Sequence, residues 1–183
     1  MGNIVQFVSV DYVKEHTAME ENVDNSKVSP FIVKVQDTHL QQILGSYFYQ
    51  HLMDAVVNNT LTTNEDNLIK NYIQRMVSEW VFYEVFPFLN YKATNKAISK
   101  QNSDNSVPSE LNEIKFMRSA IRDMAEFYNE RLVSQLINNG NLYPQYQNPL
   151  VPENLPKNNK SYFNGVYLKG SRSCDPTNQY KNK

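Results

Sequence analysis

The sequence predicts an all-α fold, a bundle of about five helices that includes a long C-terminal spine. A polar excursion with a short strand interrupts it, and an extended C-terminal tail with a short β-hairpin follows. Three observations carry this expectation. Residues 109–139 contain neither Pro nor Gly, and Leu111, Ile114, Met117, Ile121, Met124, Tyr128, Leu132 and Leu136 recur at steps of three or four. Helix punctuation recurs upstream, with Ser29-Pro30 before one apolar-periodic run, Gly45 after it and Thr62-x-x-Glu65 before the next. Beyond Gly140 the composition changes, with Pro144, Pro149, Pro152 and Pro156 among repeated Asn and Tyr.

Taken in order, residues 1–8 read as a loose or extended arm. Ser9 is the N-cap of a short helix to about His16, and Met19 to Asn25 is a polar connector. Ser29 caps a helix with Pro30 in its first position, Gly45 ends it, and a second helix restarts at Ser46. Asn58 to Thr63 is a turn. Thr62 opens a third long helix with a face of Leu68, Ile69, Tyr72, Ile73, Met76, Val77, Trp80 and Tyr83, stopped or kinked at Pro87. Its aromatic end, through Trp80, Phe86 and Phe88, is expected to be buried nearly all round, in the core or against another subunit.

Residues 91–107 form a polar excursion in which Thr94 to Ser99 is a candidate strand. The spine helix follows, about 45 Å long at 1.5 Å per residue. Ala125 and Ile137 widen its buried stripe, Glu113, Asp123, Glu126, Glu130 and Asn138 face water, and Gly140 is the left-handed residue that closes it. In the tail, Asn164-Gly165 within Tyr162–Leu168 is a hairpin signal. A lone hairpin is marginal in water, so it should dock on its own subunit or a neighbour. The organisation is thus a helical body over residues 1–140, with an insertion about 91–107, and an extended arm over residues 141–183.

Composition narrows the function classes. The chain of 183 residues has a formal net charge of −1, which argues against a global basic field for nucleic acid. Charge is nonetheless divided. Residues 157–183 hold six Lys or Arg and one Asp, net +5, which leaves −6 on residues 1–156. A basic arm on an acidic body suits docking on a neighbour. The single Cys174 excludes an intramolecular disulfide framework and a Cys-cluster metal site, and reads as an incidental thiol. The N-terminal residues do not read as a signal peptide or a myristoylation site, and no apolar run is long enough to span a bilayer. Asn58-Asn59-Thr60 matches a glycosylation acceptor by chance.

The residues suggest no catalysis. His16, His39 and His51 have no i, i+4 partner for a helical zinc site, and no Gly-rich phosphate loop or Gly-x-Ser-x-Gly occurs. Glu79 with Glu84, and Asp123 with Glu126, are acids at helical spacing that read as solvated faces. No catalytic residue, cofactor or metal is expected. Tyr and Phe in non-helical segments are typical of protein contacts, so the candidate subunit-interface residues are Trp80, Phe86, Phe88, Tyr143, Tyr146, Tyr162, Phe163 and Tyr167.

Several stretches, covering roughly residues 5–148, also carry a family resemblance. They are Ser9-x-Asp11-Tyr12, Asn22-Val23-Asp24, Val33-Lys34-Val35-Gln36-Asp37, Ile43-Leu44-Gly45-Ser46-x-Phe48-Tyr49 and Asn71-Tyr72-Ile73. Met124-Ala125-x-Phe127-Tyr128-x-x-Arg131-Leu132 and Asn139-Gly140-x-x-Tyr143-Pro144-x-Tyr146 continue them. Together they resemble the head–tail connector (portal adaptor or neck ring) proteins of tailed bacteriophages, of the type in crAss-like and other Bacteroides phages. The resemblance implies a non-catalytic helical virion protein, made in the host bacterial cytoplasm and built into the neck. Its partners are then identical subunits in a ring, commonly twelvefold in the family, together with the portal protein and downstream tail or neck proteins. DNA passes through the lumen without specific binding, and no membrane is involved. The alternative is a small helical nucleic-acid-binding regulator using Lys92, Lys96, Lys100 and the basic tail.

Overall fold

In the computed structural model, residues 5–93, 98–100 and 111–147 are described. Most of them are helical. Ser9 caps α1 (Val10–His16) by accepting the Tyr12 N–H, as its position implies. Lys14 then ties α1 to the next helix, donating to the Glu21 carbonyl and to Asn25 Oδ1.

Helix α2 (Asn25–Val35) starts earlier than expected. Asp24, not Ser29, is its cap, accepting the Ser26 N–H at 2.9 Å. Pro30 therefore lies inside the helix, where its ring removes one backbone bond. Ser29 is engaged elsewhere, accepting from Gln6 Nε2. Helix α2 continues through a single π turn (Gln36–Leu40) into α3 (Gln41–Leu44). Gly45 breaks the run with φ 76°, ψ 158°, a conformation that side chains disfavour. Helix α4 (Ser46–Asn58) comes next and closes on Asn59 in the left-handed region, φ 54°.

The Thr62–Glu65 capping box forms in full at the start of α5 (Thr63–Leu68). A second π turn (Ile69–Ile73) joins α5 to α6 (Gln74–Asn90). Helix α6 runs three residues past Pro87 instead of stopping there. Two short antiparallel strands, β1 (Tyr91–Ala93) and β2 (Ile98–Lys100), pair Tyr91 with Lys100, Lys92 with Ser99 and Ala93 with Ile98. Of the strand expected at 94–99, Ile98 and Ser99 fall in β2, whose partner strand 91–93 was not expected. Residues 94–97 and 101–110, and the C-terminal hairpin expected at 162–168, lie outside the described residues.

Helix α7 (Leu111–Asn138) is the expected spine, and α6 is its principal neighbour. Its packed face is narrower than the expected stripe. Ile114, Ala125, Leu132 and Leu136 are buried and Ile121 and Tyr128 are half-buried, but Met117 and Met124 are each 48% exposed and Ile137 is 61% exposed. Ala125, with no exposed surface, lets α6 approach closely, and apolar residues more than about 60° from that line miss the contact.

The chain after α7 also departs from expectation. Gly140 does not take a left-handed conformation; it opens a 3-10 turn (Gly140–Leu142). A side chain there would collide with that of Gln147, which lies against it. The turn leads into α8 (Pro144–Gln147), so residues 140–147 pack with the body, while the arm expected beyond them lies outside the described residues. Tyr143 and Tyr146 bury against Phe48 of α4, with ring centroids 6.1 and 6.0 Å apart.

The N-terminal arm is likewise not loose over residues 5–8. Phe7 and Val8 are buried, and Phe7 meets the Tyr49 ring edge-on. Two glutamines, each beside a π turn, hold the arm. Gln36, 1% exposed, accepts the Phe7 N–H at 2.8 Å and donates to the Val5 carbonyl at 2.9 Å. Gln74 donates to the Phe7 carbonyl at 2.8 Å. Gln36→Leu strands a buried N–H and a carbonyl, so urea denaturation is expected to show a loss of about 2–4 kcal/mol. Deleting residues 1–8 should remove most of that difference, whereas an additive double variant would contradict the clamp.

Candidate functional site

The eight aromatic residues expected at a subunit interface are placed in three ways. Trp80 and Phe86 of α6, with Tyr143 and Tyr146 around α8, are buried in the chain's own core. Trp80 is fixed there by polar contacts that a helical period does not reveal. Its Nε1 donates to Asn129 Oδ1 of α7 at 3.0 Å, and its ring stacks on His39 at 3.9 Å. Phe88 is 53% exposed and leans on Phe31 of α2, centroids 5.4 Å apart. Tyr162, Phe163 and Tyr167 lie outside the described residues.

Three groups of titratable side chains come closest to a chemical site. In the first, the Glu65 carboxylate is 4% exposed and fully engaged. One oxygen accepts the Thr62 N–H and hydroxyl, and the other meets His51 Nε2 at 2.7 Å. Burial pushes the carboxyl up, but the Thr62 donors and His51 outweigh it and hold Glu65 below the usual carboxylate range. Every acceptor is used within the fold, so the pair is a fastener between α4 and α5.

In the second group, Lys34 and His39 approach Glu84 at 2.7 and 3.9 Å, beside the Trp80 stack. Arg118 lies over the Tyr83 ring at 4.2 Å. These contacts run along the α2–α6–α7 seam and orient helices. In the third, Glu79 of α6 lines an open depression with Glu15, His16, Phe82, Ile121 and Met124. Burial raises the Glu79 carboxyl, and its wall is apolar on the α7 side. Among the described residues no group of three or more His, Cys, Asp or Glu converges as a metal site. No helix among them is long and apolar enough to cross a membrane.

What the surface does present is apolar. Phe116, Met117, Met124 and Phe127 of α7 are 77%, 48%, 48% and 56% exposed, along the side of the helix turned from its core face. Phe116 and Phe127 are missing from the sequence expectation because the dominant period assigns a single stripe to the helix. A second set of apolar residues at steps of three and four is the signal that could have found them.

The Glu65 fastener has a testable pH signature. Its folded carboxyl titrates below its unfolded value, so its contribution is complete at neutral pH and is lost as pH falls through the folded value. Glu65→Gln should cost about 1–3 kcal/mol in urea at neutral pH, with the gap from the natural chain closing in acid. Glu79→Gln carries the opposite sign. Removing an acid whose folded pKa is raised should increase the melting temperature at neutral pH and change it little where Glu79 is protonated in both states.

Comparison with known proteins adds one match. Residues 40–154, from the end of the first π turn past α8, match a family model described as a family of unknown function (DUF6712). No curated protein and no solved structure matches the chain. The match covers more than half of the sequence, and the chain belongs to the DUF6712 family.

Proposed function

We propose that the protein is a structural virion component that forms a ring below the portal, joins head to tail and extends the DNA channel. The observation that carries this reading is where the connector-like motifs meet. Leu44-Gly45-x-x-Phe48-Tyr49 and Tyr143-Pro144-x-Tyr146 lie about a hundred residues apart, and their aromatic rings pack together through Phe48. The Gly45 break aims α4 at this point, and Pro144 starts the turn that returns Tyr146 to it. The punctuation behind the resemblance is thus one physical joint of the body.

Assembly is then the mechanism. The joint is built on α8, and the sequence after α8 carries a basic, Tyr-containing segment with net charge +5 at 157–183. An acidic body on the next subunit is its electrostatic complement. A ring needs two unlike faces per subunit, and an arm meeting a body supplies them. The alternative, a nucleic-acid-binding regulator, draws on the β1–β2 hairpin, which brings Lys92 and Lys100 into one element. It requires DNA affinity that falls steeply as salt rises.

The test is electron microscopy of the chain incubated with the phage portal protein that this reading gives it as partner. A ring on the portal is expected from the full chain. The chain cut after Gln147 should keep its helical spectrum and melting temperature while losing the ring. Rings of equal yield from the cut chain would overturn the role of the arm. Absence of a ring with salt-sensitive DNA binding would transfer the function to the alternative.

A further inference from the structure

Where the end of α1 meets α6 and α7, the body holds an open depression of about 510 Å³, and its polar side chains offer only hydrogen-bond acceptors. Glu79 of α6 is half-buried in it and has no hydrogen bond or ion pair among the described residues. His16 Nδ1 lies 3.0 Å from the Tyr12 carbonyl, which can only accept, so Nδ1 carries the proton and Nε2 of the neutral ring is an acceptor. The Thr17 hydroxyl donates to the Val13 carbonyl at 2.7 Å, so its proton is used within the fold. Glu15 adds a second carboxylate at the exposed rim. The wall is apolar, formed by Phe82, Ile121 and Met124. Burial raises the Glu79 carboxyl. The body thus keeps an unpaired carboxylate that costs stability, and a cation beside it would offset that cost.

Such a lining selects a donor cation on an apolar stem, which among side chains is Lys or Arg. The apolar wall does not stop at the rim. Met124 is 48% exposed, and Phe127, 56% exposed, follows it three residues on along α7. A thioether and a phenyl ring together make a surface that takes aromatic side chains. Depression and surface therefore fit a segment in which basic and aromatic residues stand within two or three positions of each other. The chain carries two, Lys160-Ser161-Tyr162-Phe163 and Tyr167-Leu168-Lys169. We propose that the basic arm seats here: a Lys of residues 157–172 enters the depression against Glu79, and an aromatic residue beside it lies on Met124 and Phe127.

Charge and length both permit the contact. Residues 157–172 contain Lys157, Lys160, Lys169 and Arg172 and no acid, net +4, against −6 on residues 1–156. Lys157 is ten residues beyond Gln147, up to about 33 Å of fully extended chain. Met124 is 14 residues before Asn138 at the end of α7, about 21 Å along the helix. An arm can therefore reach the depression of its own body or of an adjoining one. The inference rests on the arm-to-body docking of the proposed assembly, whose seat it names, and needs neither the ring nor the portal.

The probe is a fluorescent synthetic peptide of residues 157–172, titrated into the full chain and followed by anisotropy. Saturable binding is expected. Glu79→Gln should weaken it severalfold, whereas Glu130→Gln, which removes the same charge from an exposed position outside the depression, should leave it nearly unchanged. Phe127→Ser should also weaken it severalfold, and Ile137→Ser, an equally exposed apolar residue elsewhere on α7, should not. Circular dichroism checks that each variant remains folded. The second reading is photocrosslinking from p-benzoylphenylalanine in place of Met124 in the full chain, with the crosslinked fragments identified by mass spectrometry. They are expected to come from residues 157–172, of the chain or of the peptide. Equal losses from Glu79→Gln and Glu130→Gln, no saturable binding, or crosslinks to other segments would each overturn the seat. Crosslinks to the arm without rings on the portal would support the seat and count against the ring, and rings without those crosslinks would do the reverse.

Discussion

The fold depends on a buried carboxamide. Gln36 sits in the interior at the first π turn and has no water to bond with, so its oxygen and nitrogen must be satisfied by the protein. They are satisfied by the backbone of the N-terminal arm. That arm in turn needs a partner for the Phe7 carbonyl, which Gln74 supplies from the second π turn. Each π turn inserts one residue into a helical run and rotates the remainder of the helix by about 100°. The rotation aims the two glutamines at the same strand of backbone. Arm, α2 and α6 are thereby coupled, because loosening any one leaves a polar group unpaired in an apolar interior. Nearby, burial pushes the Tyr49 hydroxyl up to about 12, which keeps it a neutral donor to Asp37.

Around that clamp the core is organised by α6. Its buried residues contact α2 on one side and α7 on the other, and Trp80 bridges the first π turn and α7, through the His39 ring and the Asn129 side chain. Phe48 plays the corresponding part at the other end, where Tyr143 and Tyr146 close over α4. With α6 occupying one face of α7, the remaining apolar side chains of that helix have no place in the chain's own interior. Their exposure is a consequence of packing geometry and not of an unfinished core.

Much of the architecture is legible in the sequence because its signals are local. Ser9, Gly45 and the Thr62–Glu65 box each act within one helical turn, and each works as its sequence context implies. Where two local signals compete the sequence misleads. Asp24 and Ser29-Pro30 both announce a helix start, and the earlier one prevails because Pro30 costs a single bond while the extra turns bury Val28. The π turns leave no pattern of their own, so the placement of Gln36 and Gln74 cannot be read. The arm looks loose for the same reason, since its anchors lie 29 and 67 residues away.

The candidate interface shows the same division. Aromatic density at Trp80, Phe86, Tyr143 and Tyr146 marks important contacts, but density does not distinguish burial within a chain from burial between chains. The exposed α7 residues are hidden by the opposite ambiguity: Met117 and Met124 share the period of the core stripe, and only the position of α6 separates them from it.

Through Gln36, the arm and the two π turns form one cooperative unit. Native-state hydrogen exchange at the Phe7 amide tests that unit most directly. This amide should exchange only when α6 opens, with the same dependence on denaturant as the Val77 and Val81 amides. Exchange of Phe7 at a rate independent of denaturant, while α6 remains protected, would contradict it.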